Sequence, residues 1–171
     1  MIDYFKKLKR AIDNLNEYDI ENVVDELKAC KERENTVYVI GNGGSASTAE
    51  HLVNDFIKFG RIKAFALTNL AIITAIGNDL GYDNVFVEQL AGLLEKGDLV
   101  IAISGSGNSE NITKALVSSM NNGTKCIGLL GMDGGHAKEY CDLVIRINSN
   151  DYGIIEDLHL SVGHYLSRRI T

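Results

Sequence analysis

Thr36-Val37-Tyr38-Val39-Ile40-Gly41-Asn42-Gly43-Gly44-Ser45-Ala46-Ser47-Thr48-Ala49-Glu50-His51-Leu52-Val53-Asn54-Asp55-Phe56 reads as a strand, a glycine-rich turn and a helix in immediate succession. The apolar run Val37–Ile40 has no alternating polar face, the pattern of a strand covered on both sides. The helix that follows starts with unpaired backbone N–H groups and the positive end of its dipole, and the glycines let an anion approach that backbone closely. Ser45 and Ser47 add hydroxyl donors at the helix start, where either also suits an ordinary N-cap.

The same alternation extends towards the C-terminus. Ala64–Leu67, Leu99–Ile103, Cys126–Leu130 and Leu143–Ile147 read as further strands. Helical patterns fall over 46–58, 69–77, 84–94, 109–121 and 134–140, with a last helix over Ile155–Ile170. Ahead of the first strand, Ile2, Phe5, Leu8, Ile12 and Leu15, then Ile20, Val23, Val24 and Leu27, recur at helical spacing and predict a pair of amphipathic helices. Buried strands separated by helices imply a parallel sheet covered on both faces, and right-handed crossovers make it doubly wound. Ligands of such sheets bind at the carboxyl ends of the strands. The expected fold is therefore α/β, a single domain over 1–171. Its core spans 35–171, and the helices of 1–34 form an N-terminal extension assigned to contacts between subunits.

At 171 residues and 45% apolar, the chain is long enough for one core and shows no repeat or linker that would divide it. A net charge of -6 disfavours nucleic acid and anionic membrane as partners, so an anionic ligand must be held by local dipoles and hydroxyls. Lys6, Lys7, Lys9 and Arg10 are followed by no uninterrupted apolar segment, so this stretch is read as neither signal peptide nor membrane anchor. Cys30, Cys126 and Cys141 are odd in number and far apart, which argues against a disulfide framework and points to a cytoplasmic protein with small core thiols.

A second turn repeats the logic of the first. The strand ending at Ile103 runs into Ser104-Gly105-Ser106-Gly107-Asn108-Ser109 and then a helix. No Gly-Lys-Ser/Thr follows, so it is not a Walker loop, and the spacing is not that of a dinucleotide fingerprint. Two Gly/Ser turns on one parallel sheet, with hydroxyls and amides converging, point to a sugar phosphate.

These motifs, with Ile76-Gly77-Asn78-Asp79, Asp133-Gly134-Gly135 and a C-terminal helix carrying His159 and His164, resemble the sugar isomerase (SIS) domain family, in particular its phosphoheptose isomerase branch. The resemblance implies a three-layer α-β-α sandwich with a five-stranded parallel sheet. It also implies a homotetramer with active sites at subunit interfaces, and aldose–ketose isomerisation of a phosphorylated sugar. By position, Ser104, Gly105, Ser106 and Ser109 would grip the phosphate, and Asn42, Gly43, Gly44, Ser45, Asn78 and Asp79 would contact the rest of the substrate. His51, Asp55, Glu156 and His164 would form a metal set for one zinc ion per subunit, with Asp55, Glu156 and His164 as acid/base groups.

Enediol chemistry needs a base beside the carbonyl and a group to stabilise the oxygen charge. His51 and Asp55, at i and i+4, share a helix face that suits two metal ligands or a simple His–Asp pair. Glu156 and His164 stand about 80° apart around a helix, whereas Glu156 and His159 share a face more naturally. His164 is therefore preferred on the resemblance alone, and His159 reads as a core or interface histidine. Four positions depart from the family pattern: Asp55 stands for a glutamate, Glu156 for a glutamine, Gly105 for a threonine and Gly153 for an aspartate. These changes keep open a catalytically silent sugar-phosphate sensor or protein-binding scaffold as the alternative. A DNA-binding regulator is disfavoured, because the N-terminal segment carries no basic helix-turn-helix.

Overall fold

β1 (Thr36–Gly41) lies second from one edge of a five-stranded sheet in the computed structural model, which describes residues 2–170 and the side chains of 3–170. The side chain of Ile2, counted above in the first apolar stripe, lies outside that range. α1 (Ile2–Asp13) and α2 (Glu17–Glu32) precede β1, and α3 (Gly44–Asp55) continues into a wider π turn, Phe56–Gly60. β2 (Lys63–Ala66), α4 (Leu70–Asp79), α5 (Val87–Ala91), β3 (Leu99–Ser104) and α6 (Glu110–Asn121) follow. β4 (Lys125–Gly131), β5 (Leu143–Ile147) and α7 (Tyr152–Arg169) complete the order.

All pairings are parallel and the strand order is β2-β1-β3-β4-β5. The chain moves outward from β1 to β2, then returns to place β3 on the other side of β1, so the order reverses between β1 and β3. Gly41 pairs with Ile103 in register, so both Gly/Ser turns leave the sheet side by side at this switch point.

Alternate strand residues face opposite layers. On one face Val37, Val39, Ile101 and Ile103 pack with Val23, Val24 and Leu27 of α2, Leu52 of α3 and Leu166 of α7. On the other, Tyr38, Ile40, Val100 and Ala102 pack with Phe86, Leu90, Ile112 and Leu116. Four residues of α2 are fully buried, so this helix belongs to the core rather than to a detachable extension. α1 is held by Ala11 and by a 2.6 Å hydrogen bond from Tyr4 Oη to Asp157 of α7, while Phe5 and Ile12 remain exposed. The subunit contacts expected of 1–34 remain a proposal, supported by the exposed Phe5 and Ile12 of α1.

Two expected helices shrink. Segment 84–94 keeps only α5, preceded by a 3₁₀ turn at Tyr82–Asn84, because Gly81 enters it at φ +92° and Gly92 caps it. Segment 134–140 is a 3₁₀ turn at Ala137–Tyr140, since Gly134 and Gly135 take φ +87° and +53°, which a right-handed helix does not admit. Cys30 and Cys126 are buried, Cys141 is half-buried, and all three are free thiols, as expected of core residues.

His159 of α7 is 1% exposed and neither ring nitrogen has a hydrogen-bond partner among the described residues. Burial pushes its pKa down to about 4, against a weaker opposite pull from the backbone of Leu130. A base whose folded pKa lies below its unfolded value takes up its proton more readily when unfolded. Stability from this group is complete above pH 6.5 and is lost as pH falls towards 4, by about 3 kcal/mol at full extent. Urea denaturation at pH 7 and pH 4.5 should show that loss in the native chain, and His159→Leu should remove most of it.

Candidate active site

Three helices, α3, α6 and α7, begin at the carboxyl end of the sheet and direct their N-termini towards one cleft of about 140 Å³. The cleft is lined by Asn42 and Ser45 from the first turn, by Ile103, Ser104, Gly105, Ser106 and Ser109 from the second, and by Tyr152 and Glu156 of α7. Three converging dipoles suit an anion in a chain of net negative charge.

Backbone bonds within the serine turn preset its hydroxyls. Ser104 Oγ accepts from Gly107 N at 3.0 Å and Ser106 Oγ accepts from Asn108 N at 3.2 Å, so each oxygen is fixed while its O–H stays available to donate. Ser109 is the N-cap of α6 but makes no side-chain cap bond, which leaves its hydroxyl for a ligand. Asn108 Oδ1 accepts from His136 N, and Gly107 O accepts from Ala137 N, tying the turn to the Asp133–Gly135 loop. The two loops pack backbone to backbone: a Cβ at Gly107, whose φ is +67°, would stand 2.0 Å from the Gly134 carbonyl oxygen. Gly107→Ala should therefore cost about 2–4 kcal/mol, read as a lowered melting temperature together with lost phosphate binding.

Asn42 is committed mainly to structure. Its Nδ2 donates to Asn111 Oδ1 at 2.8 Å, and its Oδ1 accepts from Asn111 Nδ2 and from Tyr82 Oη, both at 2.9 Å. This reciprocal amide pair brackets the two turns and leaves one Asn42 N–H for a ligand. Gly43, at φ +55°, opens α3, and Gly44 leaves room for Glu156, whose Oε1 is 2.6 Å from where a Cβ would stand.

Further along α3 and α7 is a second cluster. Asp55, 4% exposed, accepts from Asn54 Nδ2 at 3.2 Å and lies 2.7 Å from His164 Nδ1 and 3.8 Å from His51 Nε2. The two imidazoles meet edge to face, with centroids 4.9 Å apart. Gly163 permits this approach, since a Cβ there would be 2.8 Å from Leu52 Cδ1. One donor atom from each of His51, Asp55 and His164 falls within 4.8 Å of the others. Two imidazoles and a carboxylate, with His51 exposed, fit a three-ligand divalent metal site that keeps a position open.

Two parts of the expected sets are not brought together within the chain. Glu156 is not among the gathered donors, because its carboxylate rests on Gly44 about 12 Å along α7 from His164 by helical rise. Asn78 and Asp79 bond to each other at 2.7 Å on the exposed end of α4, away from the cleft of their own chain. Sequence reasoning missed Tyr152, Tyr82 and Asn111. Asn111 carried a signal, being a polar residue on the buried stripe it shares with Ile112, Ala115, Leu116 and Ser119.

The sequence pattern described as the SIS domain matches residues 2–131. The chain belongs to the SIS domain family. It is a phosphoheptose isomerase-like member. It is 42% identical over 138 residues to the phosphoheptose isomerase of Nitratiruptor sp., covering 76% of this chain and 73% of that one. It is 44% identical over 138 residues to that of Trichlorobacter lovleyi, covering 77% and 70%. The solved phosphoheptose isomerase of Francisella tularensis superposes with TM-score 0.93 at 30% identity, over 98% of this chain and 94% of that one. That of Neisseria gonorrhoeae gives 0.93 at 28% identity, over 99% and 95%.

Proposed function

We propose that this SIS domain interconverts sedoheptulose 7-phosphate and D-glycero-D-manno-heptose 7-phosphate through an enediol. The observation that carries the reading is the pairing of a serine turn at a helix N-terminus with an Asp55–His164 dyad, its carboxylate buried, on two helices that run from the same cleft. Ser104, Ser106 and Ser109 hold the phosphate by hydroxyl donation, which orients the sugar along α3 and α7 with its carbonyl end towards the dyad. The Asp55 carboxylate fixes His164 with Nδ1–H as donor, so Nε2 is the atom that takes the proton from the carbon beside the carbonyl and returns it to the neighbouring carbon. Glu156, in the cleft wall, is the second acid/base group and exchanges protons with the sugar hydroxyls.

Alternatively, His51, Asp55 and His164 would hold a zinc ion, one per subunit, whose chemistry when bound is to polarise the substrate carbonyl; a ligating His164 then leaves proton transfer to Glu156. A homotetramer with shared active sites is part of the same proposal. α4 has no buried residue although Leu70, Ile72 and Leu80 are apolar and exposed, and its end carries Asn78 and Asp79, which a partner's cleft would receive. No described helix is long and apolar enough to cross a membrane, and three free thiols support a cytoplasmic site of action.

Incubation with sedoheptulose 7-phosphate in deuterated water should yield the aldose phosphate with deuterium on the carbon that receives the returned proton. Binding of the sugar phosphate without turnover, with and without added zinc, would favour a sensor or scaffold instead.

A further inference from the structure

We propose that Tyr152 is the specificity-determining wall of the phosphate pocket, closing over Gly105 and offering its phenol hydroxyl to the phosphorylated end of the ligand. The inference rests on reading the serine turn as a phosphate site.

The ring lies directly on the turn. Tyr152 Cδ1 and Cε1 are both 2.8 Å from where a Cβ on Gly105 would stand. Gly105 is not among the glycines with positive φ, so its backbone accepts any residue and the ring, not the conformation, demands glycine. Ser104, Ser106 and Ser109 line the same cleft.

Core packing does not explain the tyrosine. Its side chain is 54% exposed, and its hydroxyl has no hydrogen-bond partner among the described residues. Yet the backbone that carries it is pinned: Asp151 Oδ1 accepts from Gly153 N at 3.0 Å, and Asp151 N donates to Ser149 Oγ at 3.1 Å. A rigid helix start therefore presents a free phenol at the mouth of an anion pocket. A phenol suits that place, because it donates to a phosphate oxygen without a charge of its own, and its face accepts the C–H groups of the adjoining carbon chain. The ligand class this wall selects is a phosphate monoester on a polyol chain.

Inorganic phosphate, titrated by calorimetry and by the amide shifts of Ser106 and Gly107, is the probe. The proteins compared are the wild type, Tyr152→Phe, Tyr152→Ala, Gly105→Ala and the double alanine variant, each with its fold checked by circular dichroism. Tyr152→Ala should weaken phosphate binding about tenfold and Tyr152→Phe about threefold or more. Gly105→Ala should match Tyr152→Ala by displacing the ring, and the double variant should be no worse than either single one, because the two residues act as a unit. With sedoheptulose 7-phosphate, Tyr152→Ala should raise KM and hold kcat within about twofold.

Unchanged phosphate affinity in Tyr152→Ala, fully additive effects, or a fall in kcat at constant KM would overturn the proposal, and wild-type affinity in Tyr152→Phe would remove the hydroxyl's part. If the wild type binds phosphate but turns over no heptulose phosphate, the isomerase reading fails while the phosphate cycle still decides Tyr152. If the wild type binds no phosphate, both fall.

Discussion

His164→Ala is expected to reduce turnover by about 10²–10⁴-fold while the chain stays folded, the range lost when a positioned acid/base group is removed. The side chain is 39% exposed, so its deletion opens no core cavity. What is lost is the partner that Asp55 orients at 2.7 Å. KM should change little, because the proposed phosphate grip lies on the serine turn at the far end of the helices, and a kcat effect without a KM effect marks a group that acts on the reacting atoms. Steady-state kinetics alongside a thermal melt separate the outcomes. Full activity in the folded variant would remove the dyad from the mechanism, and failure to fold would make His164 structural. His164→Gln, which keeps a donor near Asp55 but no titrating ring, should be as inactive as alanine.

Asp55→Asn is expected to produce a loss of similar size through a different cause. The amide matches the carboxylate in size and can still accept from Asn54, so the packing of a 4% exposed residue is preserved. The negative charge between the two imidazoles is what disappears. Without it, His164 loses the acceptor that sets its tautomer, and the donor set within 4.8 Å falls to two imidazoles. The expected result is a fall in kcat of about 10²-fold or more with little change in melting temperature, together with a lower zinc content after equilibration and gel filtration. Retained zinc with lost activity would assign Asp55 to proton transfer alone. Unchanged activity would remove it from both roles.

Much of this was legible along the chain. Val37–Ile40 and Leu99–Ile103 announced buried strands because both faces of a parallel sheet are covered, and the Gly/Ser turns after them marked helix N-termini by their lack of side-chain bulk. His51 and Asp55 could be paired by the i, i+4 rule, which is local. Glu156 was harder, since its destination depends on how far a long side chain on α7 reaches towards Gly44, a distance set by helix–helix packing. α2 was grouped with α1 as an extension because amphipathic spacing reveals that a helix buries one face but not against what.

The sequence by itself determined the parallel α/β class, the two Gly/Ser turns that open helices and the residue types available for acid/base and metal chemistry, all of which follow from patterns within a few residues. Only the tertiary structure decided which of those residues meet. Asp55 and His164 stand 109 positions apart in sequence and 2.7 Å apart in space because Gly163 lets α7 close on Leu52. Tyr152 reaches the serine turn because Gly105 leaves its ring room to lie there. Such meetings depend on steric fit between distant segments, and no local pattern encodes that fit.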